Sequence, residues 1–165
     1  MRFDLRKLMG QPGSALPFEF ELSAEALSFP SVSEYLSPPI ASGRIFNEAG
    51  VLHLEGAVWA DMLCICDRCG NEFESEKTTE VEVVLAEEDL GDDPNLYLIQ
   101  DGVVDAGEIM STCFILDMET KFLCREDCRG LCSKCGKNLN LGDCDCRAEI
   151  DPRFAVLQQL INQEE

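Results

Sequence analysis

The sequence predicts an α+β protein with a mostly antiparallel sheet, a central helix, a zinc-binding cysteine-rich segment and a C-terminal helix. Three observations favour this fold. Several stretches alternate apolar and polar residues with a period of two, which is typical of strands, and others show helical spacing. Six of the ten cysteines lie between residues 124 and 146. With 165 residues, 45% of them hydrophobic, the chain can bury a sizeable core.

The first elements predicted along the chain are a strand, a helical turn and a loop. Residues 17–22 alternate apolar and acidic side chains, as a half-buried strand does. Residues 23–27 favour one helical turn that is capped by its serine. Three prolines within residues 30–39 then indicate a loop.

A pair of strands follows, and the second of them runs into a cysteine motif. Residues 41–47 and 51–64 have the composition of strands, with Asn-Glu-Ala-Gly at residues 47–50 as the turn. The second strand leads into Cys66-Asp67-Arg68-Cys69-Gly70. A further strand is predicted over residues 73–85, so this motif lies at the end of a strand.

The remaining elements are an acidic loop over residues 87–95, a short strand over residues 96–99 and two helices. Helical spacing of apolar residues predicts a helix from Ala106 to about Glu119, with Asp105 as its cap. Asp151-Pro152 predicts the start of the last helix, because aspartate is a favoured cap and proline fits the first turn.

The expected compartment decides how the cysteines are interpreted. The first residues show neither the long apolar run nor the cleavage site of a secretory leader, and no stretch approaches the ~18 apolar residues of a membrane span. We therefore expect a cytoplasmic protein with no membrane partner. In a reducing cytosol, clustered cysteines favour metal binding or redox chemistry over structural disulfides.

Two groups of four cysteines have spacings that suit tetrahedral zinc, which four thiolates bind well. The first candidate site is Cys132, Cys135, Cys144 and Cys146. The second candidate site pairs Cys66 and Cys69 with Cys124 and Cys128, and it requires the chain to fold back over more than fifty residues. An alternative partition has one metal among the six late cysteines. We therefore expect one or two structural Zn²⁺ ions, with residues 1–120 as an acidic α+β core domain and residues 121–165 as a zinc module and terminal helix packed on it.

The cysteines predict a structural metal rather than a catalytic one. Catalytic zinc keeps an open ligand position and commonly uses histidine or carboxylate ligands, whereas an all-cysteine site is closed. The one histidine, His53, is far in sequence from the late cysteines. Cys113 is interpreted as a packing residue, and Cys64 as either a packing residue or a substitute ligand. We expect no enzyme and no small-molecule substrate.

Charge is distributed unevenly along the chain, whose net charge is −19. Residues 72–119 carry one basic and fifteen acidic side chains, a net charge of −14, whereas residues 120–147 carry six basic and four acidic ones, a net charge of +2. An acidic protein repels nucleic-acid phosphates, so a basic protein partner fits better. The alternative is that the acidic block is only a solvated face. The basic side chains of residues 120–147 either contact RNA locally or offset the charge of thiolate–zinc centres.

Several motifs together resemble one family. They are Cys66-Asp67-Arg68-Cys69, the run Cys-Arg-Glu-Asp-Cys-Arg-Gly-Leu-Cys over residues 124–132, Cys-Gly-Lys-Asn-Leu-Asn over residues 135–140, and Asp-Pro-Arg-Phe-Ala-Val-Leu over residues 151–157. The chain is similar over nearly its whole length to the YceD family, the large ribosomal RNA subunit accumulation proteins. The resemblance implies a factor needed for accumulation of 23S ribosomal RNA, with a small zinc-binding ribosomal protein as a candidate partner.

These observations lead to two hypotheses of different class. The first is a non-enzymatic assembly factor whose partner is a basic ribosomal protein, precursor large-subunit rRNA, or both. The second is a thiol and zinc redox sensor or a regulatory binding protein, because dense cysteines can release zinc on oxidation. An RNA-processing enzyme is the weakest alternative, since no base, nucleophile or open metal site can be named.

Overall fold

Two β-sheets form the framework of the computed structural model, which describes residues 1–88 and 95–146. Its strands are β1 (Arg2–Asp4), β2 (Ala15–Glu21), β3 (Val32–Tyr35), β4 (Ile40–Glu48), β5 (Val51–Ile65), β6 (Glu72–Ala86), β7 (Leu96–Leu98) and β8 (Val103–Asp105). Its helices are α1 (Arg6–Met9) and α2 (Ala106–Leu116), with 3-10 turns at Ala24–Leu27 and Leu139–Leu141.

The larger sheet is built around a long hairpin of β5 and β6. Its strand order is β2-β4-β5-β6-β7, and β3 pairs with the far end of β5 beyond β4. The hairpin stays in antiparallel register from Leu52 opposite Leu85 to Ile65 opposite Glu72. Only β7 pairs parallel within the described part of this sheet. The smaller sheet pairs β1 with β8.

One face of the large sheet forms the core because alternate side chains of each strand point to the same side. On β5, Leu54, Val58 and Met62 are fully buried. Helix α2 lies against this face and buries Met110 and Phe114 completely. The opposite face of the β5–β6 hairpin carries exposed side chains.

The end of α2 is tied to β6 by polar contacts. The Lys77 ammonium lies 3.0 Å from a carboxylate oxygen of Asp117, and the Thr79 hydroxyl donates to the same oxygen at 2.9 Å. The hydrogen bond from Lys77, followed by the one from Thr79, lowers the pKa of Asp117. These contacts hold Asp117 at the helix C-cap. The helix therefore ends at Leu116, before the Glu119 that apolar spacing predicted.

The prediction of an α+β fold with a mostly antiparallel sheet is confirmed for the described residues. All five predicted strands are present, and their ends lie within two residues of the predicted ones. The three prolines lie in loop segments as predicted, but β3, which was not predicted, lies between them and pairs with β5. Ser23 begins the 3-10 turn without a side-chain capping bond. The last helix, from Asp151, and residues 89–94 of the acidic loop lie outside the described residues, and the division at residue 120 stays a prediction.

Candidate metal centres

Two groups of four cysteines come together in the structure. The inner cluster is Cys66, Cys69, Cys124 and Cys128, and the outer cluster is Cys132, Cys135, Cys144 and Cys146. Within each cluster the four sulfur atoms all lie within 4.8 Å of one another. These are the two groups that the spacing suggested. The alternative of one metal among the six late cysteines does not agree with this arrangement, because Cys124 and Cys128 lie with the early pair.

The sulfur separations of the inner cluster fit a tetrahedral metal ion. Cys66 Sγ lies 3.8 Å from Cys128 Sγ, and Cys69 Sγ lies 3.7 Å from Cys124 Sγ. A disulfide would require ~2.05 Å, and all these cysteines are free. Zinc–sulfur bonds of ~2.3 Å place the corners of a regular tetrahedron ~3.8 Å apart. The donor set and its spacing therefore suit zinc in a closed, four-sulfur site.

The same backbone turn opens both clusters. In the inner cluster, Cys66 donates its N–H to Asn71 at 2.9 Å and accepts from the N–H of Gly70 at 2.8 Å. In the outer cluster, Cys132 repeats both bonds, each at 2.9 Å, with the residues five and four positions later. Gly70 and Gly136 have φ angles of 69° and 72°, which favour glycine. Each turn directs two sulfurs, three positions apart, toward one point.

The hairpin and the segment after α2 supply the inner cluster together. Cys66 and Cys69 lie in the loop that joins β5 to β6. Asp67 of this loop donates its N–H to the carbonyl of Phe122 at 2.9 Å and accepts the N–H of Phe122 on its carboxylate at 2.7 Å. Arg68 donates to the carbonyl of Cys128 at 2.9 Å. These hydrogen bonds join the hairpin loop to the segment after α2 in addition to the cysteine sulfurs.

Asn140 connects the two clusters. It lies between Cys135 and Cys144 in sequence, yet its side-chain N–H group donates to Cys128 Sγ of the inner cluster at 3.4 Å. Its side-chain oxygen accepts from the backbone N–H of Arg129 and from the Arg125 guanidinium, each at 2.8 Å. The loop of the outer cluster therefore hydrogen-bonds directly to a sulfur of the inner one.

Solvent exposure separates the clusters. Cys66, Cys69 and Cys128 are buried, whereas Cys135 and Cys146 of the outer cluster are exposed. Oxidants reach exposed thiolates first, so the outer cluster is the more reactive of the two.

In each cluster, one cysteine ionises more readily than another. Burial raises the pKa of Cys66. Hydrogen bonds from backbone N–H groups, with that of Cys124 the largest, outweigh burial and lower the pKa to about 6. Burial raises the pKa of Cys124 to about 12. In the outer cluster, hydrogen bonds from backbone N–H groups, with that of Cys135 the largest, lower the pKa of Cys132 to about 6. The side-chain hydrogen bond with Cys135 raises the pKa of Cys146 to about 12. Four thiolates together therefore require a cation, and metal binding releases protons.

The other candidate residues lie outside both clusters. Cys64 is fully buried in the core, and Cys113 Sγ lies 3.6 Å from the hydroxyl of Tyr97. The His53 ring stacks on Phe46 with centroids 5.2 Å apart. The interpretation of Cys64 and Cys113 as packing residues agrees with their positions.

Asn140 and Asp67 were missed as parts of the site. Both lie inside cysteine motifs. Their sequence positions do not indicate that the Asn140 side chain contacts a sulfur or that the Asp67 side chain contacts the backbone of a distant segment. Asp67, Arg68 and Asn140 all stand in motifs that carry the family resemblance, which was the one available signal.

Replacing Cys128 by Ser is expected to remove one metal ion and to lower the free energy of unfolding by ~4 kcal/mol or more, because loss of a buried metal ligand is among the most damaging substitutions. Replacing Cys135 by Ser should also remove one metal ion. It should change the free energy of unfolding of the sheet by less than ~1 kcal/mol, because all four cysteines of the outer cluster lie within residues 132–146 and none lies in a strand. Native mass spectrometry and chemical denaturation measure the two effects. Cys113→Ala is the control and should keep both metal ions. A protein that carries two metals after either ligand substitution would contradict the assignment.

Replacing Asn140 by Ala is expected to weaken metal binding at the inner cluster about tenfold, because hydrogen bonds to ligands tune metal affinity. Competition with a chelator of known affinity measures this. The neighbouring Leu141, 82% exposed, provides the control in Leu141→Ala, which should leave the affinity unchanged. Equal affinities in both variants would show that Asn140 does not support the inner cluster.

Comparison with known proteins identifies a family. The family model described as large ribosomal RNA subunit accumulation protein YceD matches residues 54–161. No curated protein and no solved structure matches the chain. The matched region covers more than half of the chain, including most of the β5–β6 hairpin, α2 and both cysteine clusters. The chain therefore belongs to the YceD family of large ribosomal RNA subunit accumulation proteins.

Proposed function

We propose that this protein is a non-enzymatic factor in biogenesis of the large ribosomal subunit, needed for accumulation of 23S ribosomal RNA. The observation that carries the proposal is the match to the YceD family over residues 54–161, because the family is named for large ribosomal RNA subunit accumulation. The protein would act in the cytoplasm by binding a ribosomal protein or precursor rRNA. No helix in the described part of the chain is long and apolar enough to cross a membrane.

The two clusters support a structural role for the metal. Each brings four cysteine sulfurs together, and a metal with four protein ligands has no open position for substrate or water. We therefore propose that both clusters bind Zn²⁺ and that neither takes part in a reaction. When bound, the ions would fix the loop of the β5–β6 hairpin against the segment after α2.

Deleting the gene should lower the amount of 23S rRNA relative to 16S rRNA, and the wild-type chain should restore it, because the proposal makes the factor specific for the large subunit. Quantitative hybridisation of both rRNAs measures this ratio. A Cys113→Ala chain is the control and should restore the ratio as the wild-type chain does, because Cys113 lies outside both clusters. An unchanged ratio in the deletion strain would contradict the proposal.

A redox sensor remains a second candidate function because Cys135 and Cys146 are exposed. In that case, mild peroxide should release the metal of the outer cluster before that of the inner one and should end the effect on rRNA. A metal-sensitive dye and mass spectrometry follow the release. If rRNA accumulation persists after the outer metal has been lost, the outer cluster does not regulate the function.

A further inference from the structure

The outer face of the β5–β6 hairpin combines a row of carboxylates with exposed apolar side chains. Every second residue of β6 from Glu72 to Glu82 is exposed, and all but Thr78 are glutamates. Strand geometry spaces them ~7 Å apart along one line. On the same face, β5 exposes Trp59 and Ile65, each by 38%, and Ile40 of β4 lies directly opposite Trp59.

The glutamates of this row have no ion-pair partner among the described residues. Lys77 is the one basic residue of the acidic stretch 72–119, but its side chain is only 10% exposed and pairs with Asp117 and Glu119 at 3.0 and 3.5 Å. Arg44 is on the outer face, but it pairs with Glu55 at 2.5 Å. The row therefore keeps its negative charge.

Like charges also face one another across the strands. Asp61 of β5 lies opposite Glu76, and Glu55, whose carboxylate also pairs with Arg44, lies opposite Glu82. Such cross-strand pairs destabilise an isolated sheet. A bound cationic partner would remove this repulsion, and the apolar side chains beside the row would gain by leaving water.

The arrangement excludes two other ligands. A divalent cation needs several oxygens within ~2.6 Å of the ion. Neighbouring glutamates of the row are ~7 Å apart along the strand, too far to share one ion. Among the described residues, only the two cysteine clusters bring three or more metal-ligating groups within 4.8 Å of one another. RNA phosphates are repelled by this charge.

We propose that the outer face of the β5–β6 hairpin docks an arginine- and lysine-rich polypeptide segment, with its cations on the glutamate row and its apolar side chains against Trp59 and Ile65. This inference rests on the proposed function and selects a basic protein rather than rRNA as the partner of this face. A shallow depression of about 810 Å³, lined in part by Arg44, Glu80 and Glu82, offers room for a long side chain at one end of the row.

The test uses a labelled peptide of alternating arginine and valine, with fluorescence anisotropy to measure affinity. Trp59 is the one tryptophan of the chain, so its emission reports whether the peptide binds beside it. The wild-type protein should bind the peptide and shift the Trp59 emission. The triple variant E74Q/E76Q/E80Q should weaken binding about tenfold or more, through the loss of three charge pairs.

The matched control is E25Q/E88Q/E108Q, which removes the same charge from exposed glutamates that lie outside β4, β5 and β6. It should change the affinity less than about twofold at physiological salt, where distant charges are screened. Trp59→Ala, followed by anisotropy, should weaken binding while leaving every carboxylate in place. Circular dichroism checks that each variant is folded.

Equal weakening by both triple variants, no binding by the wild-type protein, or an equal response to an RNA oligonucleotide would each overturn the proposal. The 23S rRNA measurement in the deletion strain is independent of these results. Loss of rRNA accumulation together with absent peptide binding would reject this docking face alone, whereas peptide binding with unchanged rRNA would reject the proposed function alone.

Discussion

The inner cluster is the constraint on which the position of the loop between β5 and β6 depends. Its four sulfurs join the loop between β5 and β6 to a segment more than fifty residues later. Few apolar side chains gather at this end, where Cys66, Cys69 and Cys128 form a small buried group of their own with Phe73 and Leu123 packed against it. Metal–sulfur bonds would therefore replace the hydrophobic core that this end of the hairpin lacks.

The outer cluster depends on the inner one through hydrogen bonds. Asn140 donates to Cys128 Sγ, the N–H of Leu139 donates to the carbonyl of Gly130 at 2.9 Å, and the N–H of Leu131 donates to the carbonyl of Arg68. These contacts place the exposed cluster against the hairpin loop. In the function that we propose, the cysteines act as a scaffold, and the negative charge on the outer face of the same hairpin binds a basic partner.

The sequence predicted what depends on periodicity and spacing, and little of what depends on distant contacts. Alternation predicted β5 and β6 to within one residue at each end, and the spacing of the cysteines predicted the two groups of sulfurs that the structure brings together. It did not predict β3, whose pairing with β5 is a long-range contact, or the early end of α2, which the contacts of Asp117 with β6 explain. The bond from Asn140 to Cys128 Sγ likewise depends on how two loops meet.

Amide hydrogen exchange before and after removal of the metal by a chelator tests the central claim most directly. If the inner cluster fastens the hairpin loop to the later segment, residues 64–73 and 122–131 should lose protection together, while the pairing of β4 with β5 around Ile45 and Leu54 stays protected. Unchanged protection at the hairpin loop, or loss confined to residues 132–146, would contradict the account.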